Sequence, residues 1–148
     1  MTPARKDPFG ALLVFGQFAC IAVLVFGGGW TLPWWGWVLF ALGLLVFILA
    51  ATALGGNNFT AMPMPREENT LSKRGIYAFV RHPMYLSVLL CGAAMASGAP
   101  SVWRWTALAV AVIVLVVKIR HEERKLTAKH PDYPEMMRGV ARLVPGIW

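Results

Sequence analysis

From Pro8 to Pro65 the chain carries no Asp, Glu, Lys or Arg. A water-facing surface does not tolerate a run of that length, since ordinary soluble chains carry about 25% charged residues. Here charged residues make up 14% and hydrophobic ones 57% of 148 residues, and the charges are confined to a few short stretches. The pattern predicts an all-α, polytopic membrane bundle in a single domain covering 1–148.

Helix length then divides the apolar sequence. A span needs about 20 apolar residues. The expected spans are 9–29, 33–54, 84–98 and 102–118, with a motif loop at 57–83 and a polar C-terminal segment at 119–148. Gly27-Gly28-Gly29 ends the first, and Trp30, Trp34, Trp35 and Trp37 gather at the turn into the second as an interfacial belt does. The first run is longer than a signal-peptide core and reads as a retained span. The third and fourth are short, and the absence of Gly or Pro between Lys118 and Lys129 predicts that the fourth helix continues beyond the apolar region. Of 14 Lys and Arg residues, all but Arg104 fall in the N-terminus, the central loop or the C-terminal stretch. That asymmetry places both termini and the central loop in the cytoplasm.

The net charge of +7 invites a nucleic-acid reading, but the basic residues flank apolar segments instead of forming a stripe with interleaved aromatics. No nucleic-acid partner is expected. Cys20 and Cys91 both lie in apolar runs, with no spacing that suggests a disulfide or a metal site. Gln17 is the only strongly polar residue of its span and reads as an interhelical hydrogen-bonder. The small-residue patches Gly27-Gly28-Gly29 and Gly92-Ala93-Ala94 fit packing within or between chains, which leaves the oligomeric state open.

Two polar clusters fall on the same side of the membrane. One is Gly75-Ile76-Tyr77-Ala78-Phe79-Val80-Arg81-His82-Pro83-Met84-Tyr85, at the start of the third helix. The other is His121-Glu122-Glu123-Arg124-Lys125, followed by His130-Pro131-Asp132-Tyr133. Pro83 suits a first helical turn, and the amides of such a turn favour a carboxylate. Glutamates accept from hydroxyls or an ammonium group. Each piece also has a plain reading: Arg81 and His82 as interfacial anchors, and Glu122-Glu123 as a solvated face paired with neighbouring cations. Residue chemistry alone leaves the reaction unnamed.

The ordered combination resembles a known family. Gly75-x-Tyr77-x-x-Val80-Arg81-His82-Pro83-Met84-Tyr85, two spans, then Glu122-Glu123-x-x-Leu126 and Pro131-x-Tyr133 is similar to the isoprenylcysteine carboxyl methyltransferase and phospholipid methyltransferase superfamily, in its small bacterial members. The upstream Asn58-Phe59-Thr60, Met64-Pro65-Arg66 and Thr70-Leu71 resemble its lead-in, so the likeness runs from Asn58 to Pro145. It departs from the common pattern at Ile76, Ser87 and Met136, where Pro, Gly and an aromatic are usual.

The resemblance implies a methyltransferase of the bacterial inner membrane that uses S-adenosylmethionine and no metal. Its acceptor would be a lipophilic carboxylate or amine arriving from the bilayer. Cofactor binding would fall to Gly75, Tyr77, His82, Pro83, Tyr85, Glu122, Glu123 and Tyr133, and catalysis to Arg81, His82 and Glu123. Two rivals stand beside it. A catalytically silent relative or membrane subunit shares the motifs. A small four-helix transporter needs an intramembrane acid, and the first three helices contain no Asp or Glu.

Overall fold

The computed structural model describes residues 7–54, 73–98 and 101–148. Four apolar helices form the body: α1 (Pro8–Phe26), α2 (Trp34–Leu54), α3 (Pro83–Gly98) and α4 (Val102–Lys129). A 3-10 turn, Gly75–Ala78, precedes α3, and a short α5 (Tyr133–Met136) follows α4. The expected lead-in at Asn58 to Leu71 and the residues Ala99 and Pro100 lie outside the described residues.

Among the described residues three helices, α1, α2 and α4, are long and apolar enough to cross a membrane, and α3 is a shorter apolar helix. At 1.5 Å per residue α3 rises about 24 Å and α4 about 42 Å, against about 30 Å of hydrocarbon. The short third span and the extended fourth are therefore both present. The first span ends earlier than expected, at Phe26 instead of Gly29, with Gly27 as its C-cap. The carbonyls released by that early ending have a partner, described below. At the start of α1, Asp7 accepts from the Gly10 amide at 3.0 Å and Pro8 occupies the first turn, a regular N-cap.

Large apolar side chains point outward along the spans, as with Phe15, Ile48 and Trp103. Small ones recur in the interior, where Ala50, Ala94, Ala96, Ala107 and Ala111 are buried beside Leu24, Met95 and Leu115. Lipid supplies no hydrophobic drive for helix association, so close backbone approach has to supply contact. Gly43 shows how. A Cβ there would stand 3.1 Å from the Ser87 carbonyl and from the Cys91 amide. Helix α2 thus rests on α3, while α1 rests on α4, and α3 joins the two pairs.

One end of the bundle is closed by Arg104, near the start of α4. It is fully buried. Its guanidinium donates to Gly29 O at 2.8 Å, Gly28 O at 2.8 Å and Met95 O at 3.1 Å. These carbonyls lie at or beyond the C-terminal ends of α1 and α3, where helix dipoles favour a cation. The sequence sets Arg104 apart as the basic residue near the opposite face; the structure makes it the bolt of the α1–α2 turn.

Candidate functional site

The other end carries the start of α3 and the extension of α4. Three long-range backbone hydrogen bonds assemble it. Arg81 N donates to Ala141 O at 2.8 Å, His82 N to Arg142 O at 3.1 Å, and Ala141 N to Phe79 O at 3.2 Å. The C-terminal segment is zipped alongside 79–82, with Val80 and Ala141 in a parallel bridge. Behind it, Tyr133, Met137 and Val140 form a buried cluster with Leu126 and Met136.

This zipper changes the expectation for the α3 N-terminus. The amides of Arg81 and His82 are taken by carbonyls of the C-terminal segment, and those of Tyr85 and Leu86 bond to His82 O. Pro83, which is buried, has no amide to offer. The helix start is thus largely satisfied by the chain itself, and is not an open cradle for a carboxylate.

The side chains divide differently. Glu122 and Glu123 turn inward, while Arg120 and Arg124 on the same helix are exposed; the solvated-face reading is therefore set aside. Glu123 accepts from Arg81 Nη1 at 3.1 Å and from Arg142 Nε at 2.8 Å. Burial alone would raise its carboxyl, but His82, Arg142 and Arg81 more than offset that and hold it at about 2. Arg81 also donates through Nε to Val140 O at 2.9 Å and through Nη2 to Met137 O at 2.8 Å. Glu123 and Arg81 are therefore a closed unit that clamps the C-terminal segment.

Glu122 and His82 are less committed. Glu122 Oε1 accepts from the Tyr85 hydroxyl at 2.5 Å, whereas its Oε2 lies 3.6 Å from His82 Nδ1. His82 Nε2 is 3.7 Å from Glu123 Oε1 and has no hydrogen-bond partner among the described residues, although the side chain is only 9% exposed. A buried, unpaired imidazole nitrogen between two carboxylates is costly and calls for a functional explanation. The ring lies parallel to that of Tyr85, centroids 5.5 Å apart at 2°.

The remaining expected residues lie close by. Tyr77 is half-buried in the 3-10 turn, and burial pushes its hydroxyl to about 12. Burial, with Glu123 adding to it, does the same for Tyr133, so both are neutral donors near pH 7. Gly75 has φ of 56°, and Ala53 of α2 stands 3.2 Å from where its Cβ would be; backbone conformation and helix contact demand glycine there. Ser87 is buried and turns its hydroxyl onto Met84 O at 2.7 Å.

Three contributors escaped the sequence reading. Lys118, also buried, donates to Gln17 Oε1 at 2.7 Å, with Nζ 4.8 Å from the Tyr85 ring centroid. Gln17 is an interhelical bonder, as expected, and a lone Lys one turn before Glu122 was the available signal for its partner. Asp7 pairs with Lys125 and, at 2.9 Å, with His121. Burial would raise its carboxyl, but Lys125, the Gly10 amide and His121 hold it well below the usual carboxylate range. Arg142 lies in a segment without periodicity, and nothing in the sequence marks it.

The sequence profile described as phospholipid methyltransferase matches residues 31–132, which includes both polar clusters except the segment after Asp132. A relative, the cobalt-zinc-cadmium resistance protein CzcN of Cupriavidus metallidurans, is 33% identical over 131 residues. The match covers 86% of this chain and 59% of the relative, so the chain spans little more than half of that protein's length.

Proposed function

The chain belongs to the phospholipid methyltransferase family, and from that premise we propose that it is an integral-membrane methyltransferase using S-adenosylmethionine on a lipophilic acceptor. The observation that carries the reading is the buried His82–Glu122 pair: among the described residues His82 Nε2 has no hydrogen-bond partner, and Glu122 Oε2 stands 3.6 Å from His82 Nδ1. These groups suit a ligand rich in hydroxyls and bearing an ammonium. The Arg81 and His82 amides, already taken at the entry to α3, fit less well to the carboxylate of such a ligand, so its recognition would rest on the His82, Glu122 and Tyr77 side.

Bound there, the cofactor supplies an electrophilic methyl group on a sulfonium. The chain's own residues orient and exclude water. Holding the reacting groups in line supplies much of the acceleration in such a displacement. Tyr85 and Glu122 fix one wall, and the Arg81–Glu123 clamp keeps the C-terminal segment closed over the motif. An amine acceptor must be neutral to attack, and His82 is placed to take its proton; a carboxylate acceptor needs no base. The charged end faces the cytoplasm by its excess of Lys and Arg, and the acceptor reaches it from the bilayer.

The test is calorimetric titration of detergent-purified protein with S-adenosylhomocysteine. Wild type should bind saturably, and His82→Ala and Glu122→Gln should each weaken binding by about tenfold or more. No binding by a folded sample would overturn the reading. Binding without transfer of labelled methyl to any lipid extract would identify a silent relative.

A further inference from the structure

An apolar side chain would serve well at position 118, on the face of α4 that packs into the bundle. Ala107, Ala111 and Leu115 line the same buried face. Instead the chain puts a lysine there, only 2% exposed. A charge at membrane depth is expensive and by default marks function. Replacing a buried charge by a well-packed apolar group is often neutral or stabilising. Stability alone therefore does not account for Lys118.

What the ammonium touches does. On one side it donates a hydrogen bond to Gln17 Oε1 of α1 at 2.7 Å. On the other lies the Tyr85 ring, 4.8 Å from Nζ to centroid. That same ring stacks on His82 and donates its hydroxyl to Glu122. Every other partner of Tyr85 described here is thus one of the two groups with spare capacity for a ligand. Attraction between a desolvated ammonium and an aromatic face is strong enough to hold a ring in one orientation.

We propose that Lys118, backed by Gln17, is a positioning residue for the cofactor site. Its ammonium fixes the plane of Tyr85, and through Tyr85 the His82 ring and the Glu122 carboxylate. The residue itself touches no ligand. The inference rests on the cofactor reading above, and it ties a membrane-embedded contact between α1 and α4 to affinity at the bundle's charged end.

Lys118→Met and Lys118→Arg are compared with wild type by S-adenosylhomocysteine titration and thermal unfolding in the same detergent. Lys118→Met should leave the unfolding temperature unchanged or raise it, yet weaken binding about tenfold. Lys118→Arg keeps both the charge and the ring contact, and should bind within about threefold of wild type. Gln17→Leu retains the lysine but removes its anchor, and should weaken binding by about threefold. Undiminished affinity in folded Lys118→Met overturns the inference. So does an affinity loss that merely follows a fall in unfolding temperature and is not restored by arginine. If Lys118→Met fails to fold, Gln17→Leu decides: wild-type affinity in that variant overturns the inference. Wild type that does not bind at all sinks the cofactor reading, and this inference with it.

Discussion

The two ends of this bundle solve the same problem, a buried cation, in opposite ways. At one end Arg104 is held by three backbone carbonyls, and no carboxylate faces it among the described residues. At the other, Arg81, Arg142 and Lys118 gather around two carboxylates, a histidine and a tyrosine. The first arrangement uses helix-end dipoles, which are fixed and do not titrate. The second uses side chains, some saturated and some not. At the first end both terminal guanidinium nitrogens are satisfied and Nε is left without a partner among the described residues, on a group enclosed by backbone; at the second the unused capacity lies on His82 and Glu122, side chains whose chemistry suits a ligand.

If the contrast is right, the carbonyl-held end should be the more damaging to break and the less relevant to ligand. Arg104→Met strips three carbonyls of their donor and should cost about 3 kcal/mol or more. Thermal unfolding in detergent measures it, with S-adenosylhomocysteine affinity unchanged in whatever fraction remains folded. A large affinity loss without destabilisation would erase the distinction between the ends. Glu123→Gln should come next, at about 2 kcal/mol, because Arg81 keeps its two carbonyl partners and Arg142 is partly exposed. Its mark should be local: faster proteolysis within 137–148, the segment that the clamp holds.

Acid separates the ends without mutation. The Glu123 carboxyl is held at about 2 in the folded chain, below its ordinary 4.5. Its stabilisation is therefore complete above about pH 4.5 and lost as pH falls toward 2. Hydrogen exchange should show the 79–82 and 137–142 amides opening across that interval. The Gly28–Arg104 contact should persist, since its acceptors are backbone carbonyls. The smallest effect belongs to Asp7→Asn, which keeps a capping side chain and weakens the pairing with Lys125 and His121. It should cost at most about 1 kcal/mol by the same unfolding assay.

Legibility in the sequence followed the same division. The apolar runs predicted all four helices and the continuation of α4 through Lys129, because burial in lipid depends on composition and length, which a linear reading contains. The inward turn of Glu122 and Glu123 was expected only through the family likeness; local spacing favoured a solvated face. The Phe79–Ala141 and His82–Arg142 backbone bonds were invisible, since backbone groups are the same in every residue and no pattern announces their partners. With the Arg81–Ala141 bond they also explain why the amides just before α3, which look open in the sequence, are filled. Arg104 was set apart only as the basic residue near the opposite face; its burial was not legible, because three scattered carbonyls leave no mark on composition.

Helix α4 runs unbroken from Val102 to Lys129, so one rotational phase governs both ends. Arg104, Ala107, Ala111, Leu115 and Lys118 step along a single buried stripe, and Glu122 continues it one turn later. Each residue adds about 100° of rotation to such a rod. Inserting one residue within the stripe would therefore swing both glutamates away from His82 while leaving every helix intact. The alanines in the membrane interior act as an index mark: by fixing how α4 is turned against α1 and α3, they determine which way the carboxylates beyond the bilayer face.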